Sequence, residues 1–258
     1  MPVLINEFSA TSTQIEMYFE ETKLSVGTAF FWRRDKNVFL VTNWHNVSGK
    51  DNLSKKHLDR INKSEPNKIT FRIFDDGDLN KPHQININLY NDDQPIWLEH
   101  PVYQSMVDVV CIGLGELQGV FCVNDFTSKD PYVPMVSQDI FILGYPHGVG
   151  TLGFPIWKRG SIASEPDIDI DGLPLFYVDS ASAKGMSGSP VLVRSSDGKK
   201  RSGMSVLAGP TSTDLLGVYS GRLITKEPLE TQIGRVWKSR VIDEIVWTWD
   251  FLSAFGRG

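Results

Sequence analysis

The sequence is poor in cysteine, and it lacks an excess of positive charge. Its 258 residues include only Cys111 and Cys122, too few for a disulfide scaffold, and Cys111 lies in an apolar run typical of a packed, reduced thiol. The formal net charge of −5 leaves no basic footprint for nucleic acid. We therefore expect no nucleic-acid partner, and no reactive or metal-binding thiol.

Long apolar runs and metal signatures are also missing. The N-terminus, Met1 to Phe8, has neither the basic region nor the apolar core of a signal peptide, and no later stretch approaches the length of a membrane span. This predicts a cytoplasmic protein with no membrane partner. No zinc signature such as His-Glu-x-x-His occurs, and we expect neither metal nor cofactor.

Short alternating segments separated by turns dominate the chain. Apolar and polar residues alternate from Thr13 to Glu20, as in a half-buried strand, and about six short segments in each half read as strands. This texture predicts an all-β protein of two six-stranded antiparallel β-barrels. The predicted strands cover residues 13–20, 24–32, 38–42, 68–74, 83–89, 96–98 and 109–113, then 139–144, 157–164, 175–179, 190–193, 204–207 and 215–219.

The two predicted lobes are residues 1–125 and 126–258. The segment 118–134 lacks a clear period and contains two prolines, so we place the crossing between lobes there. Apolar residues from Gln232 to Trp249 recur at three- and four-residue spacing, which predicts a C-terminal helix over about 232–249. The charged stretch from Gly49 to Asn67 reads as an exposed insertion.

The turn Gly185-Met186-Ser187-Gly188-Ser189-Pro190 is the candidate centre of chemistry. It places a hydroxyl between two glycines directly before an apolar strand. Glycine allows close backbone approach, so such a turn can hold a nucleophile and an oxyanion hole together. On these residues alone, the alternative is an ordinary Gly-Ser turn before a strand.

A serine nucleophile needs a histidine base and a carboxylate. All five histidines precede Ser187, which excludes the Ser, acid, His order of α/β-hydrolases. His45 ends a strongly apolar strand where the chain becomes a loop, and Asp108 comes directly before the apolar run Val109 to Ile112. The alternatives are a packed histidine and a strand-start carboxylate. We expect the other four histidines, His57, His83, His100 and His147, at the surface or in loops.

Three motifs together resemble the trypsin-like, or chymotrypsin-fold, serine peptidases, and the bacterial branch most. They are Leu40-Val41-Thr42-Asn43-Trp44-His45, Asp108-Val109-Val110-Cys111-Ile112 and the Ser187 turn. The resemblance implies Ser187 as nucleophile, His45 as general base and then acid, and Asp108 as the carboxylate that orients His45. It also implies an oxyanion hole formed by the backbone N–H groups of Gly185 and Ser187.

The resemblance implies a primary substrate pocket without an acidic residue at its base. Ala181 would lie at that base, so we expect a small or apolar substrate side chain; the alternative is an acidic one, favoured by Lys184 and Arg222. The implied substrate-binding residues are Ala181, Ser182, Lys184, Tyr219, Ser220, Gly221 and Arg222.

Three residues depart from the family pattern. Asn43 and Trp44 replace the usual small residues before the histidine, and Met186 stands where secreted members carry an aspartate that pairs with a newly cut N-terminus. We infer no zymogen step of that kind. The oxyanion loop must be held in another way, or be ordered by an activating partner.

The leading interpretation is a serine endopeptidase acting on protein or peptide substrates through an acyl-enzyme. Two alternatives remain open at this point. The same fold could serve as an inactive or partner-activated binding module, or the same triad could act as an esterase or amidase on small substrates.

Overall fold

The structure, a computed structural model, describes residues 4–75, 78–181, 183–223 and 232–254. The described chain is mostly β, as predicted. The strands of the first lobe are β1 Ser12–Phe19, β2 Thr22–Arg34, β3 Asn37–Thr42, β4 Lys68–Asp75, β5 Asp78–Asn88, β6 Tyr90–Asn91, β7 Gln94–Pro95, β8 Trp97–Leu98 and β9 Val110–Glu116. The strands of the second lobe are β10 Asp139–Gly144, β11 Ile156–Ile162, β12 Leu175–Asp179, β13 Pro190–Ser195, β14 Gly198–Lys199, β15 Ser205–Val206, β16 Ser212–Arg222 and β17 Ile233–Lys238.

Few helices accompany the strands. Helix α1 covers Trp44–Ser48 and α2 covers Arg240–Ala254, and short 3₁₀ turns lie at Glu7–Thr11, Val123–Asp125 and Pro146–Gly148. Within the described ranges no helix is long and apolar enough to cross a membrane.

The first lobe is a curled sheet of seven strands in the order β5-β4-β1-β2-β3-β9-β8. The sequence predicts a six-stranded barrel here; the sheet has a seventh strand and no pairing of its terminal strands β5 and β8 is seen in its described part, but its curl is consistent with the predicted double-barrel architecture. Alternation buries one face: Ile15 and Met17 of β1 are almost wholly buried, while Gln14, Glu16 and Tyr18 are not. The core of the lobe is therefore built on the two-residue period seen in the sequence.

The second lobe is a closed six-stranded barrel, in the order β10-β11-β12-β17-β16-β13. The predicted strand 204–207 is not part of it, because β15 pairs only with β14 in a small separate hairpin. The sixth strand is β17. The sequence predicts a helix over 232–249, and this prediction is wrong for the residues of β17.

The correction at β17 has a physical reason. Val236 and Trp237 are buried and fit either period, but β17 pairs with β12 on one edge and with β16 on the other, so both edges have backbone partners. Gly234 completes the fit, since a Cβ there would lie 2.5 Å from the Tyr219 ring. The C-terminal helix therefore begins at Arg240, after the barrel has closed.

One apolar cluster joins the two lobes. It contains Phe39 and Val109 from the first lobe, Leu143 and Trp237 from the barrel, and the buried face of α2 around Ile242. Helix α2 returns to the first lobe, where a Cβ at Gly113 of β9 would lie 2.8 Å from the Trp249 ring. The lobes are thereby packed into one body with a seam between them.

Candidate active site

His45 lies in the short helix α1, immediately after β3. The sequence predicts a loop at this position, but Asn43 remains extended and the chain then turns for five residues. The helix ends at Gly49, whose φ is +68° and whose N–H donates to the His45 carbonyl over 3.1 Å. A glycine is favoured there because other residues rarely adopt this angle. The turn fixes the direction of the imidazole.

His45 and Asp108 form a direct pair. The distance from His45 Nδ1 to Asp108 Oδ2 is 2.7 Å, and the His45 backbone N–H donates to Asp108 Oδ1 over 2.9 Å. The Asp108 side chain is wholly buried, whereas that of His45 is 18% exposed. Because a carboxylate can only accept, Nδ1 carries the proton and Nε2 is left free to act as a base.

Two further residues hold Asp108 in place. Ser220 Oγ donates to Asp108 Oδ2 over 2.5 Å, and the Asn43 amide donates to the Asp108 carbonyl over 2.6 Å. A buried carboxylate has lost its contacts with water, and such donors replace them. Ser220 was predicted only as a substrate-binding residue, and its contact with Asp108 was missed because it joins positions 112 apart.

The Ser187 turn is held through its carbonyl groups. The Lys184 carbonyl accepts from His147 N–H over 2.6 Å, the Gly185 carbonyl from Thr28 Oγ1 over 2.7 Å, and the Ser187 carbonyl from Thr28 N–H over 2.9 Å. In a trans peptide the N–H points opposite to the carbonyl. With the Lys184 carbonyl turned to His147, the N–H of Gly185 therefore points away from that contact.

The two predicted oxyanion donors have no protein acceptor. Among the described residues, none accepts a hydrogen bond from the N–H of Gly185 or of Ser187. Gly185 has φ +93°, and a Cβ there would overlap the Tyr145 carbonyl oxygen. This backbone position therefore favours glycine.

Met186 anchors the turn from below. Its side chain is 0% exposed and packs in the second-lobe core with Ile142, Val191 and Tyr219. A buried apolar side chain thus occupies the position at which secreted relatives were expected to carry an ion pair. The loop is held by packing and by the carbonyl contacts.

The Ser187 turn lies beside the segments that carry His45 and Asp108. The Asn46 amide, one residue after His45, donates to the Ser187 carbonyl over 3.2 Å. A Cβ at Gly221, next to the Asp108 partner Ser220, would lie 3.9 Å from Ser187 Oγ. Among the described residues Ser187 Oγ makes no hydrogen bond to His45 within 3.5 Å. Such contacts are often long before substrate binds.

Trp44 packs into the first lobe and does not obstruct the site. It is 7% exposed, its Nε1 donates to Glu99 Oε1 over 2.7 Å, and Lys55 Nζ lies 4.5 Å above its ring. The departure from the small residue expected there is therefore accommodated inside the lobe.

The predicted substrate-binding residues differ in exposure. The side chains of Ala181, Lys184 and Arg222 are exposed, whereas Tyr219 and Ser220 are buried. Ser182 lies outside the described residues. Lys184 and Arg222 therefore have the solvent exposure usual for surface charges, and the pocket assignment stays a prediction.

His147 contributes its backbone N–H to the Ser187 turn, whereas His100 and the cysteines lie outside this site. His100, expected in a loop, is 3% exposed and its Nε2 lies 2.7 Å from Glu244 of α2. Burial raises the pKa of the Cys122 thiol to about 12 and that of Cys111 still higher, so both thiols stay protonated. In the described part of the chain, no cluster of His, Cys, Asp and Glu could hold a metal ion.

Solved structures of two bacterial proteases are similar to this chain in fold. The structure of a serine endoprotease from Yersinia pestis matches with a TM-score of 0.54 at 10% identity, covering 96% of this chain and 67% of that one. The Rv3671c protease of M. tuberculosis H37Rv, in an inactive form, matches with a TM-score of 0.45 at 17% identity, covering 93% and 89%. The first likeness supports the fold alone. No curated protein matches the sequence.

The family comparison covers the candidate site. The trypsin-like peptidase domain family matches residues 27–199, a span that includes His45, Asp108 and Ser187. This is well over half of the chain, and the chain therefore belongs to the trypsin-like peptidase domain family.

Proposed function

We propose that this protein is a serine endopeptidase that cleaves peptide bonds through an acyl-enzyme. The observation that carries the proposal is the buried Asp108 bonded to His45 Nδ1, with the Ser187 turn held beside the pair. The family match supports peptidase activity, and we assign that activity to the side chains of Ser187, His45 and Asp108.

The proposed reaction uses each group in turn. Ser187 Oγ attacks the substrate carbonyl while His45 Nε2 takes the hydroxyl proton, and Asp108 stabilises the imidazolium that forms. The N–H groups of Gly185 and Ser187 bind the developing oxyanion, each worth on the order of a hundredfold in rate. His45 then protonates the leaving amine, and water releases the acyl group by the reverse route.

The fixed oxyanion turn favours an active enzyme over a module that waits for a partner. The turn is held by its three carbonyl contacts and by the burial of Met186. In secreted family members, an ion pair formed on activation would hold the same turn. The primary pocket is proposed to accept a small or apolar side chain, on the basis of Ala181 alone. A cytoplasmic location stays a prediction from the sequence.

The test is covalent labelling with a fluorophosphonate probe. Wild type and Ser189→Ala should label, because Ser189 is fully buried two residues from the nucleophile, and Ser187→Ala should not. Labelling that survives in Ser187→Ala would refute the nucleophile. An unlabelled wild type would support the binding module instead.

A peptide-library digest separates peptidase from esterase. We expect internal cleavage of peptides that disappears in Ser187→Ala and in His45→Ala. A protein that labels and hydrolyses small esters but cuts no peptide would replace the endopeptidase assignment by the esterase one.

A further inference from the structure

A pocket of about 340 Å³ opens beside His45 on the first lobe. Strand β2 contributes Leu24 and Ser25, and the insertion between α1 and β4 contributes Leu58, Asp59 and Pro66. The imidazole of the proposed base therefore lies at the edge of a cavity whose far wall is built by the insertion.

The base of the insertion is closed by backbone and charge contacts. Leu58 N–H donates to the Gly49 carbonyl over 2.8 Å, and Lys50 Nζ lies 2.7 Å from Glu65 Oε1. Gly49 and Pro66 are in such close contact that a Cβ on the glycine would lie 2.7 Å from Pro66 Cδ. These contacts join the two ends of the insertion, so the residues that line the pocket belong to a closed loop.

A second anchor ties the insertion to the rest of the lobe. Lys55 Nζ donates to Ser105 Oγ over 2.6 Å and lies over the Trp44 ring, while the Asn52 amide donates to the Met106 carbonyl over 2.9 Å. These contacts reach the segments that carry both His45 and Asp108. The insertion is therefore a fixed wall of the site.

Most of the surface that lines the pocket is apolar. Leu58 is 54% exposed at the pocket, and Leu24 and Pro66 add further apolar surface. The one acidic lining residue, Asp59, is engaged in its own turn, where the N–H groups of Asn62 and Ile61 donate to its carboxylate over 3.0 Å each and lower its pKa. The cavity is suited to a bulky aliphatic or aromatic side chain.

The position of the pocket indicates which half of the substrate it serves. Its lining belongs wholly to the first lobe, on the side of the base, and excludes the Ser187 turn and strand β16. The acyl half stays bonded to Ser187, whereas the leaving half takes its proton from His45. We propose that this pocket binds an apolar side chain on the residue that follows the scissile bond. The inference rests on the proposed function.

The test uses transfer of the acyl group to an added amine. An N-blocked alanine, leucine or phenylalanine 4-nitrophenyl ester, whichever reacts fastest, acylates Ser187. Glycinamide, leucinamide or argininamide then competes with water: the amine nitrogen bonds to the acyl carbon, the bond to Ser187 Oγ breaks, and His45 carries the amine proton to Ser187 Oγ. Because the acyl half is constant, the product ratio reports the leaving-group side alone.

We expect leucinamide to be used roughly tenfold better than glycinamide, as burial of an aliphatic side chain allows. In Leu58→Ala this ratio should fall several-fold. The matched control is Leu53→Ala, in the same insertion with 58% exposure but outside the pocket lining, which should keep the wild-type ratio.

Three results would overturn the pocket assignment. They are equal use of the three amides, preference for argininamide over leucinamide, and the same change in Leu53→Ala as in Leu58→Ala. If neither the esters nor the fluorophosphonate acylates wild type, the proposed function itself fails, so the two failures are distinguishable.

Discussion

The side-chain amide of Asn46 donates a hydrogen bond to the carbonyl of Ser187, which lies 141 positions later in the chain. The same amide donates to Thr42 Oγ1 over 3.0 Å, and Asn46 is 5% exposed. Only Thr28 N–H otherwise binds the Ser187 carbonyl within the described structure. Asn46 thus couples the helix of the proposed base to the turn of the proposed nucleophile.

Replacing Asn46 by alanine should lower kcat with little change in KM. The Ser187 carbonyl keeps one donor, so the hydroxyl and the oxyanion donors are aligned less often. We expect kcat and the fluorophosphonate labelling rate to fall together, roughly tenfold, as for loss of about 1.4 kcal/mol of alignment.

The control is Asn124→Ala, which removes another side-chain amide bonded to the backbone, at the Arg33 carbonyl and far from the site. It should reduce stability without affecting kcat. An Asn46→Ala enzyme with wild-type kcat, or an equal kcat loss in both variants, would contradict the positioning role.

Truncation of Met186 should destabilise the second lobe. The side chain is fully buried, so Met186→Ala leaves a cavity and should lower the free energy of unfolding by about 2–4 kcal/mol in denaturant titrations. Met135→Ala, at 63% exposure, should change it by less than about 0.5 kcal/mol. Equal effects of the two variants would show that Met186 does not anchor the turn.

Loss of the Ser220 hydroxyl should impair catalysis. Ser220→Ala removes one of the donors to the buried Asp108 carboxylate, at a cost of about 1–3 kcal/mol, so kcat/KM should fall by about tenfold to a hundredfold. Ser195→Ala, which removes a buried hydroxyl bonded to Gln138 in the same barrel, should leave kcat/KM near wild type. Unchanged kinetics in Ser220→Ala would argue against a contribution to the proposed triad.

Asp214 should make stability depend on pH. Burial raises its pKa, despite hydrogen bonds from Ser212 and Ser128. A raised folded-state pKa means that the folded chain binds the proton more tightly than the unfolded chain does. The contribution of Asp214 to stability is therefore complete below the unfolded pKa of about 4 and is lost as pH rises through the folded pKa. Asp214→Asn removes that loss.

The measurement is the free energy of unfolding of wild type and variant from about pH 3 to about pH 7. Relative to wild type, Asp214→Asn should gain stability as pH rises. Asp130→Asn gives the opposite sign, because hydrogen bonds from Ser202 lower the pKa of Asp130 and its contribution is lost as pH falls. A pH-independent difference for Asp214→Asn would refute the prediction.

The local pattern of apolar and polar residues predicted most of the strands, and local motifs identified His45, Asp108 and Ser187 in that order along the chain. The strand at Ile233–Lys238 was misassigned because Ile233, Val236 and Trp237 fit both a helical and an extended spacing, and only pairing with β12 and β16 decides between them. Gly27 of β2 faces the side-chain amide of Asn46, from which a Cβ at position 27 would lie 2.8 Å. The sequence did not say which atom approaches.

The supports of the site could not be read in the same way. Ser220, Asn46 and Thr28 act through contacts with residues more than a hundred positions away, and each is an ordinary polar residue in its own segment. The buried packing of Met186 depends on neighbours from several barrel strands. Such roles depend on contacts in the tertiary structure, and no local periodicity or motif in the sequence indicates them.

Thr28, in the first lobe, helps to hold the Ser187 turn of the second lobe. Its backbone N–H and its hydroxyl hold two carbonyls of the second lobe's Ser187 turn, while its own carbonyl accepts from Thr42. The proposed base and Thr28 lie in the first half of the chain, whereas the proposed nucleophile and its turn lie in the second half. The proposed activity therefore depends on the contact between the two lobes. Loss of activity at a denaturant concentration too low to unfold either lobe would indicate that the lobes had separated.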